Sequence, residues 1–136
     1  MIRIGPDREA IVVAVDLDPV DARDPRLFHK TTDRRVYEQR RRRHPDAAEV
    51  LLTNEHGHIT EGTISNVAFL IEGRWRTPPI SDGLLPGVMR KHLLTEGVIE
   101  EGSVSVAAAR DAEAVAVFNS VRGWRAAVPV AHLAAG

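Results

Sequence analysis

The chain has 136 residues, 43% of them hydrophobic and 27% charged, and its 18 Lys and Arg against 19 Asp and Glu leave a formal net charge of -1. That length suits one domain, residues 1–136, with a single core, and the near-neutral balance provides no global field to attract nucleic acid or an anionic membrane. No Cys is present, which excludes a disulfide framework, a thiolate metal site and a cysteine nucleophile, and no apolar run approaches the ~20 residues of a membrane span. The opening Met1-Ile2-Arg3-Ile4-Gly5-Pro6-Asp7 lacks the apolar stretch of a secretory signal, so the cytoplasm is the expected compartment.

In chain order, the β-branched run from Ala10 to Val15 predicts a first strand, ended by a loop containing Asp18, Pro19, Asp24 and Pro25. That loop delivers the chain to Lys30 in Phe28-His29-Lys30-Thr31-Thr32, where Thr31 or Thr32 can cap a helix running to about Arg43. Pro45 stops this helix by disfavouring the helical conformation of His44 before it. Lys30 is thereby placed at a strand-to-helix junction. Arg34, Arg35 and Arg40 to Arg43 crowd the same segment; a phosphate-binding stripe is one reading, but a solvated helix face with cations near its C-terminus is favoured.

Three strands are expected next: Glu49 to Thr53, Ile59 to Glu61 and Ile64 to Ile71, with Asn54-Glu55-His56-Gly57 as a hairpin turn. Strict alternation would place Ile59, Glu61 and Thr63 on one face and Thr60, Gly62 and Ile64 on the other. A short strand around Trp75 leads to a Pro78-Pro79 turn, and Pro86 sits in the first turn of a helix reaching Thr95 and ending at Gly97. The last third predicts a strand from Ser103 to Val106, a short helix from Ala107 to Ala112, and strands Ala114 to Phe118 and Trp124 to Val128. The fold class is α+β, with a mixed, curved or barrel-like sheet and a few short helices.

Three elements carry chemistry. Lys30 provides an amine, Glu61 a carboxylate, and Gly83-Leu84-Leu85-Pro86-Gly87-Val88-Met89-Arg90 opens a helix whose free amides can cup an anion. Amine, carboxylate and anion cup together point to pyridoxal 5'-phosphate. His56 and His58 flank a turn without further ligands at suitable spacing, so no metal site is expected, and Gly62-Thr63-Ile64-Ser65-Asn66 lacks the glycines of a serine-nucleophile elbow.

Five motifs recur in order: His29-Lys30-Thr31-Thr32, Thr60-Glu61-Gly62-Thr63-Ile64-Ser65-Asn66, Thr77-Pro78-Pro79, Gly83-Leu84-Leu85-Pro86-Gly87 and Phe118-Asn119-Ser120-Val121-Arg122-Gly123-Trp124. Over nearly the whole chain this pattern resembles the C-terminal domain of the class IV, or fold-type IV, pyridoxal-phosphate aminotransferases. Within that family it is most similar to the aminodeoxychorismate lyase type, including the form fused to aminodeoxychorismate synthase.

The resemblance implies roles residue by residue. Lys30 would be the Schiff-base lysine and general acid/base; its amine must be neutral to attack, so burial or a nearby cation has to favour loss of the proton. Glu61 would keep the cofactor's pyridine nitrogen protonated, the amides of Gly87, Val88 and Met89 would hold the phosphate, and Asn119 and Ser120 would add contacts near phosphate or substrate. Relatives carry an N-terminal domain that supplies a phosphate-binding arginine and part of the pocket, whereas only residues 1 to 29 precede the lysine here. The family often has an Asn shortly after the lysine and a tyrosine near the cofactor's phenolic oxygen; this chain has Asp33 and Arg34, with Tyr37 a further turn along.

The expected reaction converts 4-amino-4-deoxychorismate to 4-aminobenzoate and pyruvate for folate synthesis, with amino-acid transamination as the alternative within the same chemistry. A non-catalytic domain acting through association with another chain is the alternative of a different class, with exposed apolar surface as its signature. The expected partners are a small-molecule amino substrate and either a second copy or a completing chain, with no nucleic acid or membrane.

Overall fold

The computed structural model describes residues 10–20 and 34–129. In chain order these form β1 (Ile11–Val15), α1 (Arg35–Arg42), β2 (Glu49–Thr53), β3 (His58–Gly62), β4 (Asn66–Ile71) and β5 (Arg74–Thr77). A 3-10 turn at Ile80–Asp82 precedes α2 (Val88–Thr95), β6 (Glu100–Glu101), β7 (Val104–Ser105), α3 (Val106–Asp111), β8 (Ala114–Asn119) and β9 (Gly123–Pro129). The strands make one sheet in the order β6-β5-β4-β8-β9-β1-β2-β3-β7. β1 runs parallel to both β2 and β9, β5 is parallel to β6, and the other pairings are antiparallel.

Alternation along the strands divides the apolar residues between two faces. Val13, Leu51, Ile59, Val67, Phe69, Val104, Val117 and Ala127 share one buried cluster, to which α3 adds Val106, Ala108 and Ala109. The sheet must curl for residues of distant strands such as β7 and β9 to meet in it, which gives the barrel-like form. On the outer face, Ala68, Ala116, Phe118 and Trp124 pack with Leu93 of α2 and with Ile99, and Trp75 meets Trp124 edge-on at 4.8 Å. A third cluster of Val20, Tyr37 and Leu52 seats α1 on the same sheet. Fully burying side chains such as Phe69, Phe118, Leu51 or Leu93 is worth about 1.5–3 kcal/mol each, so these clusters fix where α1 and α2 lie.

The α+β class and mixed, curved sheet are as expected, and the differences are local. β4 begins at Asn66 rather than Ile64, because Thr63 to Ser65 form a loop held by hydrogen bonds to Glu49. α2 begins at Val88 with Gly87 as its N-cap, leaving Pro86 just outside the helix. α3 starts at Val106 because the Ser105 hydroxyl caps it, accepting from the Ala108 amide. α1 has Arg34 as its N-cap, without a side-chain cap bond; Thr31 and Thr32 lie outside the described residues. Among the described residues, no helix is long and apolar enough to cross a membrane.

Candidate active site

Glu61 ends up on a different face from the one strict alternation gives it. Leu51 pairs with Gly62 but Thr53 pairs with Ile59, so β3 carries a bulge between these two positions. The bulge keeps Ile59 in the inner cluster and turns Glu61 toward the α1 side. There the carboxylate is buried: its Oε2 accepts from the Tyr37 hydroxyl at 3.1 Å and its Oε1 from the Leu85 amide at 3.1 Å. Burial pushes the Glu61 carboxyl up to about 8; the Leu85 amide and the Tyr37 hydroxyl oppose the rise, the charge of Glu49 adds to it, and Arg34 weakly opposes it. Without a further positive neighbour the group holds its proton at neutral pH.

Glu61 opens into a cavity of about 260 Å³ that is also lined by Gly87, Val88, Met89, Asn119 and Ser120. Every predicted site residue within the described segments therefore borders one space. Lys30, the predicted amine, lies outside the described residues.

The far wall is the start of α2. Val88 and Met89 are its first two residues, and no side chain caps the amides of this turn. The Gly87 amide is not available as expected, since it donates to the Leu85 carbonyl at 2.9 Å. Gly87 is needed for another reason: a Cβ there would lie 2.5 Å from Asn66 Oδ1. Asn66 in turn donates to the Leu85 carbonyl at 3.0 Å, tying the end of the cavity loop to the segment that presents the Leu85 amide to Glu61.

Asn119 is bound into the fold more tightly than its predicted role requires. Its Nδ2 donates to the Ile64 carbonyl at 2.8 Å, while Oδ1 accepts from the amides of Val121 and Arg122 at 3.0 and 2.7 Å. The side chain thus forms the β8–β9 turn and staples it to the cavity loop. Ser120 stands exposed on the rim, and Val88 and Val121 are 77% and 92% exposed nearby.

Sequence reasoning missed three contributors. Tyr37 lies a further turn along than the family pattern gives for a tyrosine, yet a helical repeat after Arg34 brings its hydroxyl onto Glu61. Arg34 stacks its guanidinium 4.4 Å from the Tyr37 ring centre and donates to the Thr63 carbonyl at 2.6 Å. Glu49 is a buried carboxylate, and the signal available in the sequence is a charged residue directly before the apolar run Val50-Leu51-Leu52.

The arginine-rich segment is not simply a solvated face. Arg40 is buried, bonded to Asp16 at 3.2 Å and to the Asp18 carbonyl, while Arg43 reaches Asp18 at 2.8 Å and His44 lies 3.2 Å from Asp16. These bonds anchor α1 to the segment after β1 and so hold Tyr37 and Arg34 at the cavity. Arg42 keeps the expected exposed place, paired with Glu38 one turn away.

A curled mixed sheet thus carries a buried carboxylate facing an uncapped helix start across one cavity. The chain belongs to the class IV amino-transferase family, whose model matches residues 2–130. A Schizosaccharomyces pombe protein named "Putative aminodeoxychorismate lyase" is 40% identical over 107 residues, covering 74% of this chain and 46% of that protein. The aminodeoxychorismate lyase of Saccharomyces cerevisiae is 36% identical over 80 residues, covering 55% of this chain and 21% of that enzyme. Among solved structures, a Mesorhizobium loti protein named "Putative amino-acid aminotransferase" superposes with a TM-score of 0.86 at 37% identity, covering 95% of this chain and 64% of its own. The chain thus matches less than half the length of the two yeast relatives.

Proposed function

We propose that the chain is a pyridoxal 5'-phosphate-dependent lyase unit that converts 4-amino-4-deoxychorismate to 4-aminobenzoate and pyruvate, a step of folate synthesis. The observation that carries this reading is the shared cavity of Glu61 and the α2 N-terminus, in a chain 40% identical to the fission-yeast relative. The residues fit the cofactor. A buried carboxylate whose burial disfavours its charge is suited to a ring nitrogen that brings a proton and a positive charge. The Val88 and Met89 amides at an uncapped helix start are suited to a phosphate. When bound, the cofactor supplies an electron-accepting ring conjugated to the α-carbon of an amino substrate.

Glu61 would hold the pyridine nitrogen in its protonated form, with Tyr37 and the Leu85 amide keeping the carboxylate in place. Lys30 would carry the cofactor covalently and move the proton at the substrate α-carbon through its Nζ. Ser120 and Asn119 would border substrate or phosphate from the β8–β9 turn.

Amino-acid transamination is the second reading, favoured by the 37% identity to the Mesorhizobium loti protein over 95% of this chain. Residues 1–136 act in this proposal as one C-terminal-domain-like unit in the cytoplasm, completed by a second copy or another chain. The exposed Val88 and Val121 at the cavity rim support such a covering partner. They equally suit a non-catalytic domain that acts through association.

Absorption spectra of the purified chain with pyridoxal phosphate, before and after borohydride reduction, test the reading, with Lys30→Ala as control. A reducible imine band that depends on Lys30 is expected. Free-aldehyde absorption in both proteins refutes cofactor binding by this chain alone and favours the non-catalytic reading. Release of 4-aminobenzoate from aminodeoxychorismate, against keto acid from amino acids, then separates lyase from transaminase.

A further inference from the structure

We propose that Glu49 is a positioning residue for the cavity, its carboxylate holding the Thr63–Ser65 loop in the shape that docks Arg34 and Asn119 beside Glu61. This rests on the proposed role of Glu61. Glu49 is the first residue of β2, is only 1% exposed, and has its carboxylate turned under the loop that joins β3 to β4. Its Oε1 accepts from the Val50 amide at 2.8 Å, the Thr63 amide at 2.8 Å and the Thr63 hydroxyl at 2.6 Å. Its Oε2 accepts from the Ile64 amide at 3.1 Å and the Ser65 hydroxyl at 2.6 Å. Four of these donors belong to three consecutive loop residues, so one carboxylate organises the whole connection.

The loop passes that order on. The Thr63 carbonyl receives Arg34 and the Ile64 carbonyl receives Asn119, so the two side chains that join α1 and the β8–β9 turn to the cavity both depend on it. Gly62 precedes the loop because a Cβ there would sit 2.5 Å from the Glu49 carboxyl carbon. Glu49 is thus packed directly against the residue following Glu61. Burial acts most strongly on the charge of Glu61; among the described residues the Leu85 amide, Tyr37 of α1, Glu49 of β2 and Arg34 at the α1 N-cap act on it too, and of these Glu49 is the carboxylate that raises it.

A glutamine at position 49 matches the shape but not the donors. A carboxylate offers acceptors on both oxygens, whereas an amide with its oxygen at the Oε1 position turns an N–H toward the Ile64 amide, which cannot reorient. The Ile64 anchor of the loop and the negative charge are then lost together. The test is carboxyl-carbon NMR titration of Glu61, with amide hydrogen exchange, on the cofactor-free chain and its Glu49→Gln variant. The Glu61 midpoint is expected to fall, as removal of a nearby like charge implies. The Thr63 and Ile64 amides are expected to exchange about tenfold faster.

An unmoved midpoint or unchanged exchange overturns the proposal. If Glu49→Gln does not fold, Ser65→Ala carries the test, since it removes one donor and keeps the charge. Faster exchange at Thr63 and Ile64 is then expected, and wild-type exchange there overturns the positioning role. Failure of wild type to bind pyridoxal phosphate would instead count against the proposed function, leaving these cofactor-free measurements readable on their own.

Discussion

Replacing Glu61 by Gln should change how stability depends on pH. In the folded chain burial pushes the carboxyl from an ordinary 4.5 to about 8, so between those values the folded state holds a proton that the unfolded state has lost. Folding stability must therefore fall as pH rises through this window, because the folded state binds more protons there. At about 1.4 kcal/mol for each tenfold change in proton affinity, the full displacement corresponds to roughly 5 kcal/mol, an order-of-magnitude figure. Gln keeps an oxygen for the Leu85 amide and presents an N–H to the Tyr37 oxygen, but it cannot titrate. Urea unfolding of both proteins from about pH 5 to about pH 8 gives the difference in stability at each pH. Wild type should lose several kcal/mol relative to Glu61→Gln across that range. A difference that stays constant to within about 1 kcal/mol would refute the reasoning, since it would mean that the carboxyl is hydrated in solution or titrates normally.

Other substitutions probe the surrounding frame. Gly87→Ala should push Asn66 from its bond to Leu85, cost about 1–3 kcal/mol by overpacking and weaken pyridoxal phosphate binding measured by absorbance titration. Asn119→Ala strips two amides and a carbonyl of their partner and should cost about 1–3 kcal/mol in urea unfolding, even though the residue borders the cavity. Arg40→Met leaves the buried Asp16 without its closest guanidinium and should destabilise the chain by about 3–5 kcal/mol, with tyrosine fluorescence reporting a loosened Tyr37. Tyr37→Phe, which keeps the ring under Arg34, should raise the Glu61 carboxyl further, because it removes a donor that favours the anion; carboxyl-carbon NMR reads this.

The sequence by itself determined much of this protein. The β-branched run at Ile11–Val15, the turn residues at Asn54 to Gly57 and the unbroken apolar run of Ala114 to Phe118 each specify a strand or turn through local sterics and patterning. The ordered motifs around Glu61 and Gly87 pointed to one shared space, and the cavity brings those residues together. Tertiary structure decided which way their side chains face. A bulge adds one residue to one strand of a pair, and nothing in Thr60-Glu61-Gly62 announces it, since it answers to Glu49 and the loop across the strand. Similarly, whether Arg40 is wet or buried depends on Asp16, 24 positions earlier in the chain, and periodicity within a helix carries no information about such a partner. Burial raised the Glu61 carboxyl to about 8 in the same way, through desolvation by neighbours that only the folded chain assembles.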